Sequence, residues 1–154
     1  MKRAIRFFAF AAILFFVVIA GYRLSYDPAI PSSTPDSGLR TAYLDGHTIR
    51  VSVADTEGAR ARGLGGRPGL APDEGMLFVF PADGEYAFWM KNMRFSIDIL
   101  WISSDGKVVY MLEDVSPDTY PQSFRPDVPA RYVLELPAGY AKEYTVQVGD
   151  VAQF

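Results

Sequence analysis

The longest apolar feature of the chain is a run of 16 uncharged residues from Phe7 to Tyr22. Three basic residues precede it: Lys2, Arg3 and Arg6. A helix from Ala4 to Leu24 would reach about 30 Å, roughly the thickness of the hydrocarbon core of a bilayer. The pattern therefore predicts that residues 1–22 form an N-terminal transmembrane helix. A basic start before an apolar run is also the plan of a signal peptide, so cleavage near Ala20 is the alternative.

Both interpretations leave the basic end in the cytoplasm and export the rest of the chain. We expect a single-pass protein of the cell membrane, held by residues 4–22, with an extracytoplasmic domain. Cleavage near Ala20 would instead give a secreted or periplasmic protein. Residues 23–38 contain three prolines and several Ser and Thr residues, a composition typical of an extended linker.

Short alternating apolar runs, separated by turn signals, occupy residues 39–154. Asp45-Gly46 and Ser104–Lys107 each lie between two such runs and predict hairpins. Asp55-Thr56 predicts the start of one short helix, which ends at Arg62 or Leu64. The predicted strands are 41–44, 48–53, 76–80, then after a turn at 81–85 its partner 86–91, then 96–102, 107–113 and 131–136, with 144–148 and 151–154 last. About eight strands and one helix predict a mainly β, compact domain, either a small barrel or two layers.

Composition removes several classes of function. The chain has no cysteine and one histidine, His47, which excludes disulfides, thiolate metal sites, a cysteine nucleophile and multi-histidine metal centres. Residues 39–154 hold 11 basic and 16 acidic residues, and this net charge of −5 argues against a nucleic-acid partner. We therefore predict no metal, no cofactor and no catalytic residue.

Two carboxylates stand alone in apolar strands. Alternation places Asp98 beside Leu100 and Ile102, and Glu135 beside Val133. A desolvated carboxylate needs a cation or hydrogen-bond donors. The available cations are Lys91, Arg60, Arg62, Arg67 and Arg131. The pattern indicates either an ion pair or backbone clamp that braces the fold, or a polar site at the mouth of the barrel.

The segment Phe88-Trp89-Met90-Lys91-Asn92-Met93 combines aromatic, amine and amide side chains. On a strand, Trp89 and Lys91 share one face, whereas Phe88, Met90 and Asn92 share the other. An aromatic plane beside amine and amide donors is typical of sugar and peptide sites. The alternative is that Phe88 and Met90 are core residues and Asn92 turns the chain.

A set of motifs in this order resembles the uncharacterised domain-of-unknown-function 192 family over residues 48–153. The matching residues are Arg60-Ala61-Arg62-Gly63-Leu64, Arg67, Leu70, Gly75–Phe80, Phe88–Asn92, Asp98-Ile99, Tyr132–Leu136, Ala138-Gly139 and Gly149-Asp150. The resemblance implies a compact, β-rich, barrel-like fold behind a signal or membrane anchor, and no established activity. Two positions depart from the family pattern, with Gly65 in place of Met and Met93 in place of Thr.

Three hypotheses follow for the function. The first is a membrane-tethered, non-catalytic binding module for an envelope or carbohydrate-type ligand. Its proposed ligand-binding residues are Arg67, Trp89, Lys91, Asn92, Asp98 and Glu135. The second is an envelope hydrolase that uses Asp98 and Glu135 as an acid–base pair, which requires the two carboxyls to be roughly 5–9.5 Å apart. The third is a structural or protein-partner-binding module.

Overall fold

The structure, a computed structural model, describes residues 38–154. Its nine strands are β1 (Leu39–Leu44), β2 (His47–Ala54), β3 (Glu74–Gly84), β4 (Phe88–Trp89), β5 (Ile97–Ile102), β6 (Val108–Val115), β7 (Ser123–Phe124), β8 (Ala130–Pro137) and β9 (Ala152–Gln153). Its helices are α1 (Glu57–Arg62) and α2 (Tyr140–Glu143), with a 3-10 turn at Pro117–Thr119. The predicted anchor and nearly all of the predicted linker lie outside the described residues. Among residues 38–154, no helix reaches the length and hydropathy that a bilayer crossing requires.

Seven strands form one curled sheet in the order β6-β5-β8-β3-β2-β1-β9, and β4 pairs with β7 in a separate two-stranded ribbon. All neighbouring strands are antiparallel except β2 and β3, which are parallel. The two ends of the sheet approach each other where Lys107, just before β6, bridges Val151, just before β9. The result is a half-barrel, and the prediction of a mainly β, barrel-like domain is confirmed.

Both predicted hairpins are present because their turns are encoded locally. Asp45 and Gly46 have φ of 46° and 81°, which suits the tight turn between β1 and β2. β5 and β6 pair across Gly106, which has φ of 83°. The helix start is also confirmed, because the Thr56 side chain accepts a hydrogen bond from Ala59 N at 3.2 Å.

Two local predictions are wrong. The turn expected at 81–85 is the last part of β3, and the strand expected at 86–91 shrinks to β4, which pairs with β7 instead of β3. The strand expected at 144–148 is absent from the described fold, where these residues lie in turns and irregular chain just after α2. Residues 140–143 form a helix because backbone groups at its start are bound by a side chain from β5, described below.

The sheet separates two hydrophobic clusters. The inner cluster takes residues from all seven strands, including Val108 of β6 and Ala152 of β9, so it fills the concave side. The outer cluster lies on the other face and includes Phe78, Ile99 and Trp101. Leu64, from the β2–β3 connection, covers it together with residues from the β3–β5 connection. This cover over the outer face leaves the cleft described below.

Candidate functional site

Glu135 of β8 lies on the outer face, at the base of the loops that cover it. Its cross-strand partners are Met76 of β3 and Ile99 of β5, both buried in the outer cluster. Only 5% of Glu135 is exposed, and its Oε2 atom has no hydrogen-bond partner among residues 38–154. Burial raises the pKa of Glu135 to about 8, although the charge of Arg67 acts in the opposite direction. The carboxyl is therefore mostly protonated at neutral pH.

Arg67 is close enough to influence Glu135 but does not pair with it. Its Nη2 atom donates to Ser52 Oγ at 3.4 Å, and Ser52 Oγ in turn donates to the Gly75 carbonyl oxygen at 3.4 Å. No Arg67–Glu135 salt bridge is formed within the described part of the chain. The ion pair considered for Glu135 is thus not present in this arrangement.

Asp98 of β5 is fully buried and acts as a backbone clamp. Its Oδ1 atom accepts hydrogen bonds from Asp114 N at 2.8 Å and Gly139 N at 3.2 Å, and its Oδ2 atom accepts one from Ala141 N at 2.8 Å. Its partners are therefore three main-chain N–H groups, not the Arg and Lys side chains considered from sequence. This clamp joins β5, the end of β6 and the start of α2.

The acid–base pair of the hydrolase hypothesis is contradicted by the sheet register. Asp98 is paired with Leu136, an inner-cluster residue, whereas Glu135 is paired with Ile99, an outer-cluster residue. Side chains of directly paired residues lie on the same face of a sheet, so the two carboxyls lie on opposite faces. They cannot act on one glycosidic bond. Asp98 is also excluded from the ligand-binding set by its burial and its three backbone partners.

Trp89, Lys91 and Asn92 stand together above Glu135 at a sharp turn. Phe88 and Met90 are buried, while Trp89 is 54% exposed and Lys91 Nζ lies 5.5 Å from the centroid of the Trp89 ring. Asn92 has φ of 60° and its carbonyl oxygen accepts a hydrogen bond from Gly66 N at 2.9 Å. Asn92 therefore both turns the chain and ties this segment to the β2–β3 connection.

These elements enclose a cleft of about 930 Å³, which we call the Trp89 cleft. One wall is α1 with residues 63–66, the other is residues 86–94, and the floor includes Phe78, Phe80 and Glu135. The cleft brings together four residues predicted from sequence, Trp89, Lys91, Asn92 and Glu135. Arg67 lies beside Ser52 and does not line the cleft. Gly65 and Met93, the two departures from the family pattern, both line it.

Sequence reasoning missed two residues that line the cleft. The first is Arg94, which follows the Trp89–Met93 segment directly but is not among the ligand-binding residues predicted from sequence. Tyr86 was assigned only to a strand, yet it stacks on Phe80 with ring centroids 3.5 Å apart and an interplanar angle of 9°. The proximity of Arg94 to Lys91 in sequence was the available signal for it. Nothing local marked Tyr86, because its partner is on β3.

A second hollow of about 440 Å³ lies on the concave side of the sheet. Four valine and leucine residues of β2 and β3 line it together with polar residues of β1 and of the turn at 104–106, and it contains no residue of the predicted site. Within residues 38–154, no group of three or more Asp, Glu, His or Cys residues is arranged to hold a metal ion. The Trp89 cleft is therefore the better candidate site.

Fold and cleft together define a compact β half-barrel domain with a ligand-sized cleft on its convex face. The DUF192 family, described as an uncharacterized ACR, matches residues 40–154, so the chain belongs to this family and the resemblance is confirmed. No curated protein matches the chain.

Two solved structures share the fold. A protein from Sinorhizobium meliloti 1021, described as a candidate transcription regulator, is 34% identical, with 75% of this chain and 92% of that chain covered and a TM-score of 0.71. A protein of unknown function from Novosphingobium aromaticivorans DSM 12444 is 27% identical, with 78% and 89% covered and a TM-score of 0.72.

Proposed function

We propose that this protein is a membrane-tethered, extracytoplasmic binding module that holds an envelope or carbohydrate-type ligand in the Trp89 cleft without catalysis. The observation that carries the proposal is the exposed aromatic platform at the cleft. Trp89 is 54% exposed and Tyr120, 46% exposed, stands edge-on to it with ring centroids 6.3 Å apart. Exposed aromatic planes of this kind bind the apolar faces of sugar rings while polar groups nearby bind the hydroxyls.

A binding role is favoured over hydrolysis by the isolation of Glu135. A glycosidase needs a second carboxyl facing the same bond, and Glu135 is the only acidic residue among the described residues that line the cleft. We do not propose a role in transcription for this chain, although the Sinorhizobium meliloti relative is described as a candidate transcription regulator. The net charge of −5 over residues 39–154 opposes phosphate-backbone binding.

The tether is proposed from the sequence of residues 1–22. A fusion of alkaline phosphatase to Phe154 tests it, because this enzyme is active only after export. We expect activity in the membrane fraction; activity in the soluble extracytoplasmic fraction would support cleavage near Ala20, and an inactive fusion would refute export.

Ligand binding is tested by thermal unfolding of the full chain, in mild detergent, with a panel of neutral and acidic oligosaccharides. A ligand at 100 times its Kd stabilises the folded state by about 2.7 kcal/mol, which is a shift of several degrees. Trp89→Ala should abolish the shift, whereas Trp89→Phe, which retains an aromatic face, should keep part of it. A shift that persists in Trp89→Ala would place the site elsewhere. A flat response to every saccharide, with a folded protein, would favour a protein partner or a purely structural role.

A further inference from the structure

The lining of the Trp89 cleft is richer in basic residues than the domain as a whole. Residues 39–154 contain 16 acidic and 11 basic residues, yet four basic residues line the cleft and Glu135 is its one acidic lining residue in the described structure. The four basic residues are Arg60, Arg62, Lys91 and Arg94. An acidic domain therefore presents a locally cationic cleft.

Three of these four cations have no carboxylate partner among the described residues, although Lys91 also lies over the Trp89 ring. Arg60 is committed, because its Nη1 atom donates to the carbonyl oxygens of Asp55 and Val79 at 2.7 and 2.9 Å. Arg62, Lys91 and Arg94 are exposed, and none of them has a carboxylate within 4.0 Å among residues 38–154. The salt bridges of the described domain instead involve four other basic residues, Arg50, Lys107, Arg125 and Arg131.

The floor of the cleft does not neutralise these cations. Glu135 is held in an apolar site with Oε2 unpartnered by any described residue, and its raised pKa of about 8 keeps it mostly uncharged at neutral pH. A protonated carboxyl is a hydrogen-bond donor, so the floor also favours an acceptor over a second cation. A cationic ligand would meet three free positive charges and would gain no opposite charge unless Glu135 lost its proton.

Resting on the function proposed above, we infer that the ligand is an acidic saccharide. Its sugar ring packs on Trp89, and its anionic group is bound by Lys91 with Arg62 and Arg94. Lys91 Nζ lies over the Trp89 ring, 5.5 Å from its centroid, so a cation already stands at one face of the aromatic platform. The cleft volume of about 930 Å³ is at the upper end of the range for small-molecule sites, so an oligosaccharide fits better than a single sugar. The anionic group can be a carboxylate or a phosphate, because the same cations bind both.

The test compares trigalacturonic acid with its methyl ester, which keeps the rings and removes the charge. Titration of the full chain by Trp fluorescence should give a Kd at least tenfold lower for the acid at low salt. Lys91→Met should raise the Kd of the acid about fivefold or more and leave that of the ester unchanged. Lys142→Met, at an exposed lysine on α2 outside the cleft, is the matched control and should change neither Kd. A second comparison, of glucose 6-phosphate with glucose, tests whether the anionic group is a phosphate. Tighter binding of trigalacturonic acid than of its ester, or of glucose 6-phosphate than of glucose, supports the inference.

Each failure has a distinct meaning. Equal binding of acid and ester overturns the charge requirement while the saccharide-binding function stands. Failure of the acid, its ester, glucose 6-phosphate and glucose all to bind, with the fold intact, refutes the proposed function together with this inference. Binding of the acid that weakens equally in Lys91→Met and Lys142→Met would indicate general ionic attraction and also overturns the inference.

Discussion

Replacement of Glu135 by glutamine should make the protein more stable at neutral pH and remove part of the pH dependence of its stability. The pKa of Glu135 is raised from 4.5 to about 8 in the folded state, chiefly by burial. Between these values the folded protein keeps a proton that the unfolded chain releases. The free energy of unfolding therefore falls as pH rises through this window and is constant above about pH 8.

The magnitude follows from the two pKa values. Each pH unit between 4.5 and 8 lowers the free energy of unfolding by about 1.36 kcal/mol, so the loss between pH 4.5 and pH 7 is roughly 3 kcal/mol. Glutamine has nearly the same shape and does not ionise. The difference in stability between Glu135→Gln and the original protein should therefore grow by roughly 3 kcal/mol over that range.

Urea unfolding at several pH values, followed by the fluorescence of buried Trp101, measures this difference. Glu113→Gln, at an exposed position on β6, shows the effect of the same substitution in solvent. Parallel stability curves for Glu135→Gln and the original protein would refute the reasoning. That result would mean that Glu135 is either solvated or paired with Arg67 in solution.

The backbone clamp and the close contact of β3 with β8 give two further predictions. Asp98→Asn replaces one accepting oxygen by an NH2 group that faces a backbone N–H, so thermal or urea unfolding should show a loss of about 2–4 kcal/mol; an unchanged midpoint would contradict the clamp. Gly75→Ala would place a Cβ 2.8 Å from the Glu135 carbonyl oxygen and should cost about 1–3 kcal/mol. Its control, Gly58→Ala, meets open space within α1 and should instead stabilise by about 0.5–1 kcal/mol; equal effects of the two substitutions would refute the contact.

Local turn chemistry made much of the sheet predictable. Asp45-Gly46 and Ser104–Gly106 determine hairpins whose strands are adjacent in sequence, and both were found. The end of β3 was misjudged because its partner, β8, lies some 50 residues later in the chain. The apolar alternation of 144–148 resembles a strand, but no strand of the described sheet pairs with these residues, which follow α2 in turns and irregular chain. In each case the outcome depended on whether a pairing partner distant in sequence was present.

The candidate site was predictable residue by residue but not as an arrangement. Asp98 and Glu135 have similar apolar neighbours and look equivalent in sequence. Register decides between them, because Asp98 aligns with Leu136 and Ile99 aligns with Glu135. This one-residue offset puts one carboxyl among backbone donors on the inner side and the other beneath the cleft. No local pattern carries that information.

Because β2 and β3 are parallel, the segment that joins them lies outside the sheet and forms part of the cleft. Parallel neighbours cannot be joined by a tight turn, so residues 55–73 must cross over the outer face, and there they supply one wall of the cleft. Substitutions at the cleft-lining positions of this crossover therefore change the wall of the cleft without removing a strand-to-strand hydrogen bond. Gly65 lies on this wall, so a side chain at that position would change the cleft and not the ladder.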